Sequence, residues 1–566
     1  MRFNNTFHKL LIALLFSFTI LGCGGSTSSE PPRTSTGNQL SQPIPTETTW
    51  LVDEFEPYSN FAGRCENPRI GSSPITGQTY PDQAGSELLE KFWQRSFNNE
   101  TYLWYQEVVD KDPNNFGLEE YFQQLKTTEV TDSGVDKDQF HYTLPTSELE
   151  EQTQLGVTYG YGFSYKIEGI FPPRELQVTN ITPNTEAFSK VSRGSKLLEI
   201  NGVDFINSST ESDLEIIYSA LSTSTEGEVN NFKFVDINNE EYEVTLTSET
   251  VKEVPLQLAK TLNTPQGNVG YLLLTSFNNA TVEKDLFEQF TQFEQDNITD
   301  LVVDLRYNGG GFLYLSSQLA YMVAGKTATT NKTYERLTHN DKLADYNEDT
   351  VFIDTTIDLR RLIGGDSIIE EGQPLPELNL SRVYVLTTGD SCSASESFMN
   401  ALIGIDIEVI QIGETTCGKP YGFYGQDNCG LTYFTVQFKG VNDKGFGDYT
   451  DGFVPKQLPE AGKQYQVQGC PIKEDYLHAL GDEQEILLAS ALYYQANNTC
   501  PEITQAIAVQ AKNINDFNSA KSRTISNSTA TYDEAKINVR SPLQEAIIND
   551  IYYDKFRHIK TLNTDN

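Results

Sequence analysis

Residues 381–416 read "SRVYVLTTGDSCSASESFMNALIGIDIEVIQIGETT". "SRVYVLTT" is a strand, "SASESFMNALIGI" carries apolar residues at helical spacing, and "IEVIQIGETT" is a second strand. Strands alternating with helices give an α/β layered domain. The stretch also poses a chemical question, because Ser391, Ser393 and Ser395 crowd the strand-to-helix turn. Ser393 and Glu396 form the Ser-x-x-Glu pattern of a capping box. A nucleophile at such a turn is also exposed, and a helix N-terminus favours developing negative charge. Taken alone, the segment supports both readings.

The alternation extends in both directions. "NVGYLLLTSF" (268–277) is a strand and "ATVEKDLFEQFTQFEQ" (280–295) an amphipathic helix. "TDLVVDLRYN" (299–308) is a buried strand, followed by Gly309-Gly310-Gly311 and the helix "FLYLSSQLAYMVAG" (312–325). Three glycines directly after a strand let backbone approach a ligand closely, or simply make a tight turn. The GKT/GKS element of a phosphate loop is absent. "LTYFTVQFKGV" (431–441) continues as β, and "DEQEILLASALYYQA" (482–496) is a closing helix. These boundaries place an α/β domain at 254–500 and a polar C-terminal extension at 501–566. Within it, "GETTCGKPYG" (413–422) sets Lys419 among uncharged neighbours. A lysine buried in such surroundings loses affinity for its proton and can act as a general base. On a surface it would be an ordinary lysine.

The chain has 566 residues, too many for one core, and two to four domains are expected. Lys and Arg number 41 against 79 Asp and Glu, a net charge of −38, which argues against a nucleic-acid partner. Aromatics and leucines at helical spacing in "ELLEKFWQRSFNNETYLWYQEVV" (87–109) and "GLEEYFQQLKT" (117–127) predict a small N-terminal helical domain over 51–150. Seven cysteines divide into Cys23, near the N-terminus, and six others. Proximity in sequence favours Cys417–Cys429 and Cys470–Cys500, leaving Cys65–Cys392. Zinc is not expected, since there is no CxxC spacing and no histidine cluster, and no cofactor is implied.

Three resemblances add to this. "LIALLFSFTILG" (11–22), ending at Cys23 behind Arg2 and Lys9, is shorter than the roughly 20 residues of a membrane span. It resembles a bacterial lipobox, which implies a signal peptide at 1–23 and lipid modification of Cys23. Residues 24–50, rich in Ser, Thr and Pro, would be a flexible tether. Gly24 follows the cysteine in place of the aspartate of inner-membrane retention, so an outer-membrane anchor is expected. Plain secretion is the alternative. "RELQVTNITPNTEAFSKVSRGSKLLEINGVDF" (174–205), with period-2 strands around a short helix, resembles a PDZ domain, here 151–253. Ser195 stands where that family usually has Asp. "YGYGF", Tyr159, Gly160, Tyr161, Gly162 and Phe163, would then be the carboxylate-binding loop, and "STESDLEIIYSALS" (209–222) the helix lining the groove.

The third resemblance unites the motifs. Strand-GGG, strand-SASE-helix and strand-TxxGK, behind a PDZ-like segment, is similar to the carboxy-terminal processing (tail-specific) serine peptidases. It covers roughly residues 150–460, and "GFGDYTDGFVP" (445–455) is similar to the end of that family's catalytic core. The resemblance implies a crotonase/ClpP-like layered fold and a serine–lysine dyad, with Ser393 as nucleophile and Lys419 as base. It implies oxyanion donors at Ala394 and at Gly311 or Gly310, and supporting roles for Glu396 and Thr416. The expected substrates are proteins or peptides of the cell envelope, some offering a free C-terminus. Members of the family place a third residue where Gly404, with Asp406 close by, or Phe423 stands here, so a plain dyad is expected. Cys392 directly precedes Ser393, and its position in the strand-turn points it away from the chemistry. A Ser-His mechanism through His339 or His478, and a non-catalytic ligand- or peptide-binding protein on the same fold, are the alternatives.

Overall fold

The computed structural model describes residues 48–502, apart from 75–76, 132, 148, 151–156, 169–170, 224 and 363–365. The expected leader, Cys23, nearly all of the tether and nearly all of the C-terminal extension lie outside the described residues. The chain divides into two units, Met1–Thr49 and Trp50–Asn566, and the elements below lie in the second.

The N-terminal segment contains α1 (Glu87–Thr101), α2 (Leu118–Gln123) and the strand β1 (Tyr142–Pro145). Ser86 caps α1 by accepting from the N–H of Leu89. Phe92, Trp93 and Phe97 form its buried stripe, with Phe61, Tyr121 and Phe122 packed around them. Tyr433, more than 300 residues further along the chain, completes this cluster, so the segment shares its core with the rest of the molecule.

A β-unit follows, containing β2 (Phe163–Glu168), β3 (Glu175–Ile181), β4 (Lys196–Ile200), helix α3 (Glu211–Leu221), β5 (Val229–Val235) and β6 (Glu241–Thr247). These strands form an antiparallel sheet of order β6-β5-β4-β3-β2, with Val203–Asp204 beside β4 and β2 at an edge. Inward residues Leu176, Val178, Leu197, Phe232 and Phe234 meet Ile217 of α3.

The α/β core is built on a seven-stranded sheet of order β7-β8-β9-β11-β12-β16-β15. Its elements are β7 (Leu256–Thr264), β8 (Gly267–Leu274), α4 (Val282–Gln295), β9 (Asp300–Asp304), α5 (Leu313–Thr329), β10 (Thr333–His339), β11 (Arg382–Thr387), α6 (Ala394–Gly404) and β12 (Glu408–Gly413). They continue with β13 (Leu431–Phe434), β14 (Phe438–Val441), β15 (Val454–Lys456), β16 (Gln466–Pro471) and α7 (Ile486–Asn497). Only the β7–β8 pair is antiparallel. Both faces of such a sheet must be covered, hence the near-continuous apolar runs in β8, β9 and β11. Helices α4, α5 and α6 cover one face and α7 the other. A smaller sheet, Glu348–Val351, β10, β14 and Tyr421–Gly422, lies beside the site.

The disulfides correct the expected pairing. Cys470–Cys500 forms, but Cys429 bonds to Cys65 and Cys417 to Cys392. Topology outweighs sequence proximity in both cases. β1 pairs with β13, and Asn428 Oδ1 accepts from the N–H of Gly63 at 2.8 Å, which brings Cys65 to the adjoining hairpin. β11 and β12 are parallel neighbours, so the loops leaving their carboxyl ends lie side by side and carry Cys392 and Cys417.

Candidate active site

Ligands of open α/β sheets bind outside the carboxyl ends of the strands. Three of those ends meet here. After β9, Arg306 is fully buried and held by Asp304 at 2.6 Å and Glu485 at 2.8 Å. That pairing fixes the start of the glycine loop. Asn308 then acts as a spacer: its Nδ2 donates to Leu274 O and its carbonyl accepts from the N–H of Cys392 and the hydroxyl of Ser395. Gly311 has φ +129°, and a Cβ there would lie 2.3 Å from the Phe277 carbonyl carbon, so only glycine fits. Of the two expected glycine donors, Gly310 already gives its N–H to Asn308 Oδ1 at 3.0 Å, whereas Gly311 lines the cleft.

After β11, Ser393 is the N-cap of α6 with φ +54° and ψ −111°. A positive φ at a non-glycine residue is a local strain of the kind found at functional turns. Its N–H donates to Glu396 Oε2 at 3.0 Å, so the capping contact is present at the same residue that faces the cleft. Ala394 opens the helix, where N–H groups have no intrahelical carbonyl. Ser391 donates to Leu305 O and serves the turn.

After β12, Thr416 and Lys419 follow in a loop. The fully buried Glu396 ties this loop to the serine turn. It accepts from Thr416 Oγ1 at 2.6 Å and from the N–H groups of Gly418 and Lys419, each at 2.8 Å. Burial pushes the Glu396 carboxyl up to about 7, against these four donors, which favour its ionised form. Thr416 also accepts from the N–H of Phe453. Lys419 is 2% exposed, with Nζ 4.5 Å from the Phe423 ring centroid and 5.5 Å from that of Phe140. An ammonium over ring faces is attracted by their quadrupoles.

Ser393, Lys419 and Gly311 open onto one narrow cleft, walled by Leu313, Tyr421, Phe423 and Phe438, with Glu335 and Ser397 as further polar groups. Asp406 is far from it, 81% exposed at its side chain and paired with Lys444. Neither His339 nor His478 lines the cleft: His339 stacks against Tyr424 and His478 pairs with Asp475. Sequence reasoning missed Phe140 and Glu335. Glu335 is 4% exposed, accepts from Ser397 Oγ at 3.1 Å, and sits where Gly440 has no side chain. A glutamate in "TYERLTH" carries no mark of burial, which arises only when β14 pairs with β10. Among the described residues, Cys392, Glu396 and Cys417 are a group with metal-ligand spacing, and the disulfide occupies both sulfurs.

The five residues expected to bind a carboxylate do not form one open loop. Tyr159 and Gly160 pair with Thr250 and Glu249, Tyr161 is buried with its hydroxyl accepting from Asn230, and Phe163 starts β2. Only Tyr161 and Gly162 make the turn.

Residues 268–422 match the family model of Peptidase family S41. Over this stretch, somewhat over a quarter of the chain, the sequence is similar to the S41 peptidase domain. No curated protein is significantly similar to the chain. A Bacteroides fragilis protein assigned to the S41 proteases shares 21% identity with a TM-score of 0.53, over 75% of this chain and 99% of that one. The photosystem II D1 C-terminal processing protease shares 17% identity with a TM-score of 0.41, over 65% and 92%. At such identities the first comparison speaks for a shared fold. Serine peptidase activity on protein or peptide substrates is what similarity to that family implies.

Proposed function

We propose that the chain is a serine endopeptidase in which Ser393 is the nucleophile and Lys419 its general base. The observation that carries this reading is the convergence of both side chains on one cleft at the carboxyl edge of β11 and β12, beside Gly311. In the first step Ser393 Oγ attacks the scissile carbonyl while Lys419 Nζ takes its proton. The tetrahedral oxyanion forms at the start of α6, where the N–H groups of Ala394 and Gly311 would stabilise it. Lys419 returns the proton to the leaving amine, and water then hydrolyses the acyl-enzyme with the same lysine as base. Glu396 holds the backbone on either side of the reacting pair.

The β-unit would deliver substrate. β2 is an edge strand to which an extended peptide tail can add, beside α3, in the manner of a PDZ domain. Lipid modification of Cys23 and an outer-membrane, envelope-facing location belong to the same reading. Removing the nucleophile tests it: Ser393→Ala should abolish cleavage of a disordered protein such as casein while leaving the melting temperature close to wild type. Full activity in Ser393→Ala would sink the assignment. Binding without turnover by the wild type would favour a non-catalytic protein on this fold.

A further inference from the structure

The disulfide Cys392–Cys417 joins the residue immediately before the nucleophile to the loop that carries the base. We propose that these two cysteines are positioning residues: their bond holds Ser393 and Lys419 in register, and opening it switches catalysis off. The inference rests on the assignment of Ser393 and Lys419 above.

Three observations support it. First, the bond lies at the reacting pair itself. Its Cα atoms are 5.3 Å apart, with Ser393 adjacent to one end and Lys419 two residues beyond the other. The other two disulfides, Cys65–Cys429 and Cys470–Cys500, tie elements away from the cleft. Second, the turn it steadies departs from ordinary backbone. Ser393 sits at φ +54°, and Gly418 at φ +86° packs so tightly that a Cβ would lie 2.1 Å from Thr450 O. Backbone in such conformations persists only where its surroundings over-determine it. Third, the sulfurs abut the group that orients both partners. Cys417 Sγ is 3.5 Å from Glu396 Oε2, the oxygen that accepts from the N–H groups of Ser393 and Lys419. Two thiols released there would be new donors competing for that oxygen.

The two sulfurs differ in access. Cys392 is fully buried and Cys417 only partly. A dithiol reductant would therefore attack Cys417 Sγ, forming a mixed disulfide and releasing Cys392 as thiolate. The second thiol of the reductant then displaces Cys417 and closes the reductant's own disulfide. Two electrons and two protons pass to the cysteines, and the dithiol is oxidised.

The test uses the full chain and a disordered protein substrate. Dithiothreitol is titrated under native conditions, kcat and KM are measured, and opened cysteines are mapped by alkylation and mass spectrometry. A misplacement of about 1 Å costs roughly 100-fold in rate. The expected result is a kcat loss of at least tenfold that tracks opening of Cys392–Cys417, with KM and near-UV circular dichroism unchanged and activity regained on reoxidation. The variant Cys392→Ala/Cys417→Ala should have low kcat, wild-type KM and no response to dithiothreitol. Wild-type kcat in that variant, or in wild type with the bond fully open, overturns the inference and leaves the peptidase assignment standing. No turnover by oxidised wild type removes the assignment and the inference with it. Loss of the near-UV signal together with activity also overturns it, because the bond would then be holding the fold rather than the pair.

Discussion

The N-terminal segment and the β-unit both pack on the α/β core, but with opposite chemistry. The segment joins by apolar burial and a covalent bond. Trp93 stacks on Phe97 with ring centroids 4.8 Å apart and meets Tyr433 at 5.0 Å, β1 extends a sheet with β13, and Cys65 bonds to Cys429. The β-unit makes a polar contact. Arg193 donates to Glu474 at 2.7 Å, to Asp475 O at 2.7 Å and to Tyr307 Oη at 3.1 Å, while Tyr476 lies under its guanidinium. Apolar cores resist displacement, whereas polar contacts between domains permit relative movement. The segment that supplies a ring over Lys419 is thus fixed, and the unit proposed to carry substrate is attached beside the glycine loop, through Tyr307.

The sharpest way to break this contrast is Trp93→Ala. It should cost about 3–5 kcal/mol, as large-to-small changes at buried aromatics do, and lower the melting temperature of the whole core. Removing the covalent link with Cys65→Ala/Cys429→Ala should cost about 2–4 kcal/mol in denaturant titrations, with kcat of the folded protein little changed.

Closure over the site should also appear in the pH dependence of stability. Glu396 holds its proton more tightly when folded, its pKa rising from 4.5 to about 7. Its contribution is therefore full below about pH 4.5 and is lost as the pH rises through about 7. Glu396→Gln should remove a fall of at most about 3.5 kcal/mol across that window, at 1.36 kcal/mol per pKa unit. An unchanged slope would mean that Glu396 is less enclosed than its contacts indicate. Phe140→Leu nearly conserves volume and should cost less than about 1.5 kcal/mol, while kcat falls several-fold through loss of the ring over Lys419. Arg193→Lys keeps the charge but not the fork, at about 1 kcal/mol, and hydrogen exchange should quicken in the β-unit and not in the core.

The sequence carries the parts of the site that are local. A strand, a run of glycines, a serine turn and a lysine loop each lie within about ten residues and keep their meaning without the rest. Glu396 was visible as part of a capping box, although its reach to the lysine loop was not. Phe140, Glu335 and two of the three disulfides were hidden because each depends on segments that meet only in the fold: β11 and β12 are parallel neighbours, β14 pairs with β10, and β1 crosses to a hairpin hundreds of residues away. Local pairing of cysteines fails under that topology. Asp406, close in sequence to the place where the family has a third residue, is turned to solvent beside Lys444.

The ring of Phe140 has a consequence for what counts as the enzyme. The stretch matching the S41 family ends at residue 422, yet Phe140 lies far upstream and Phe423, Phe434 and Val436, which pack with it, lie just downstream. The rings packed around Lys419 therefore come from both sides of the matched stretch. A fragment cut to residues 268–422 would keep Ser393 and Lys419 and lose the rings beside the lysine. Any truncation that keeps Lys419 enclosed must carry residues 140 and 423–436 together.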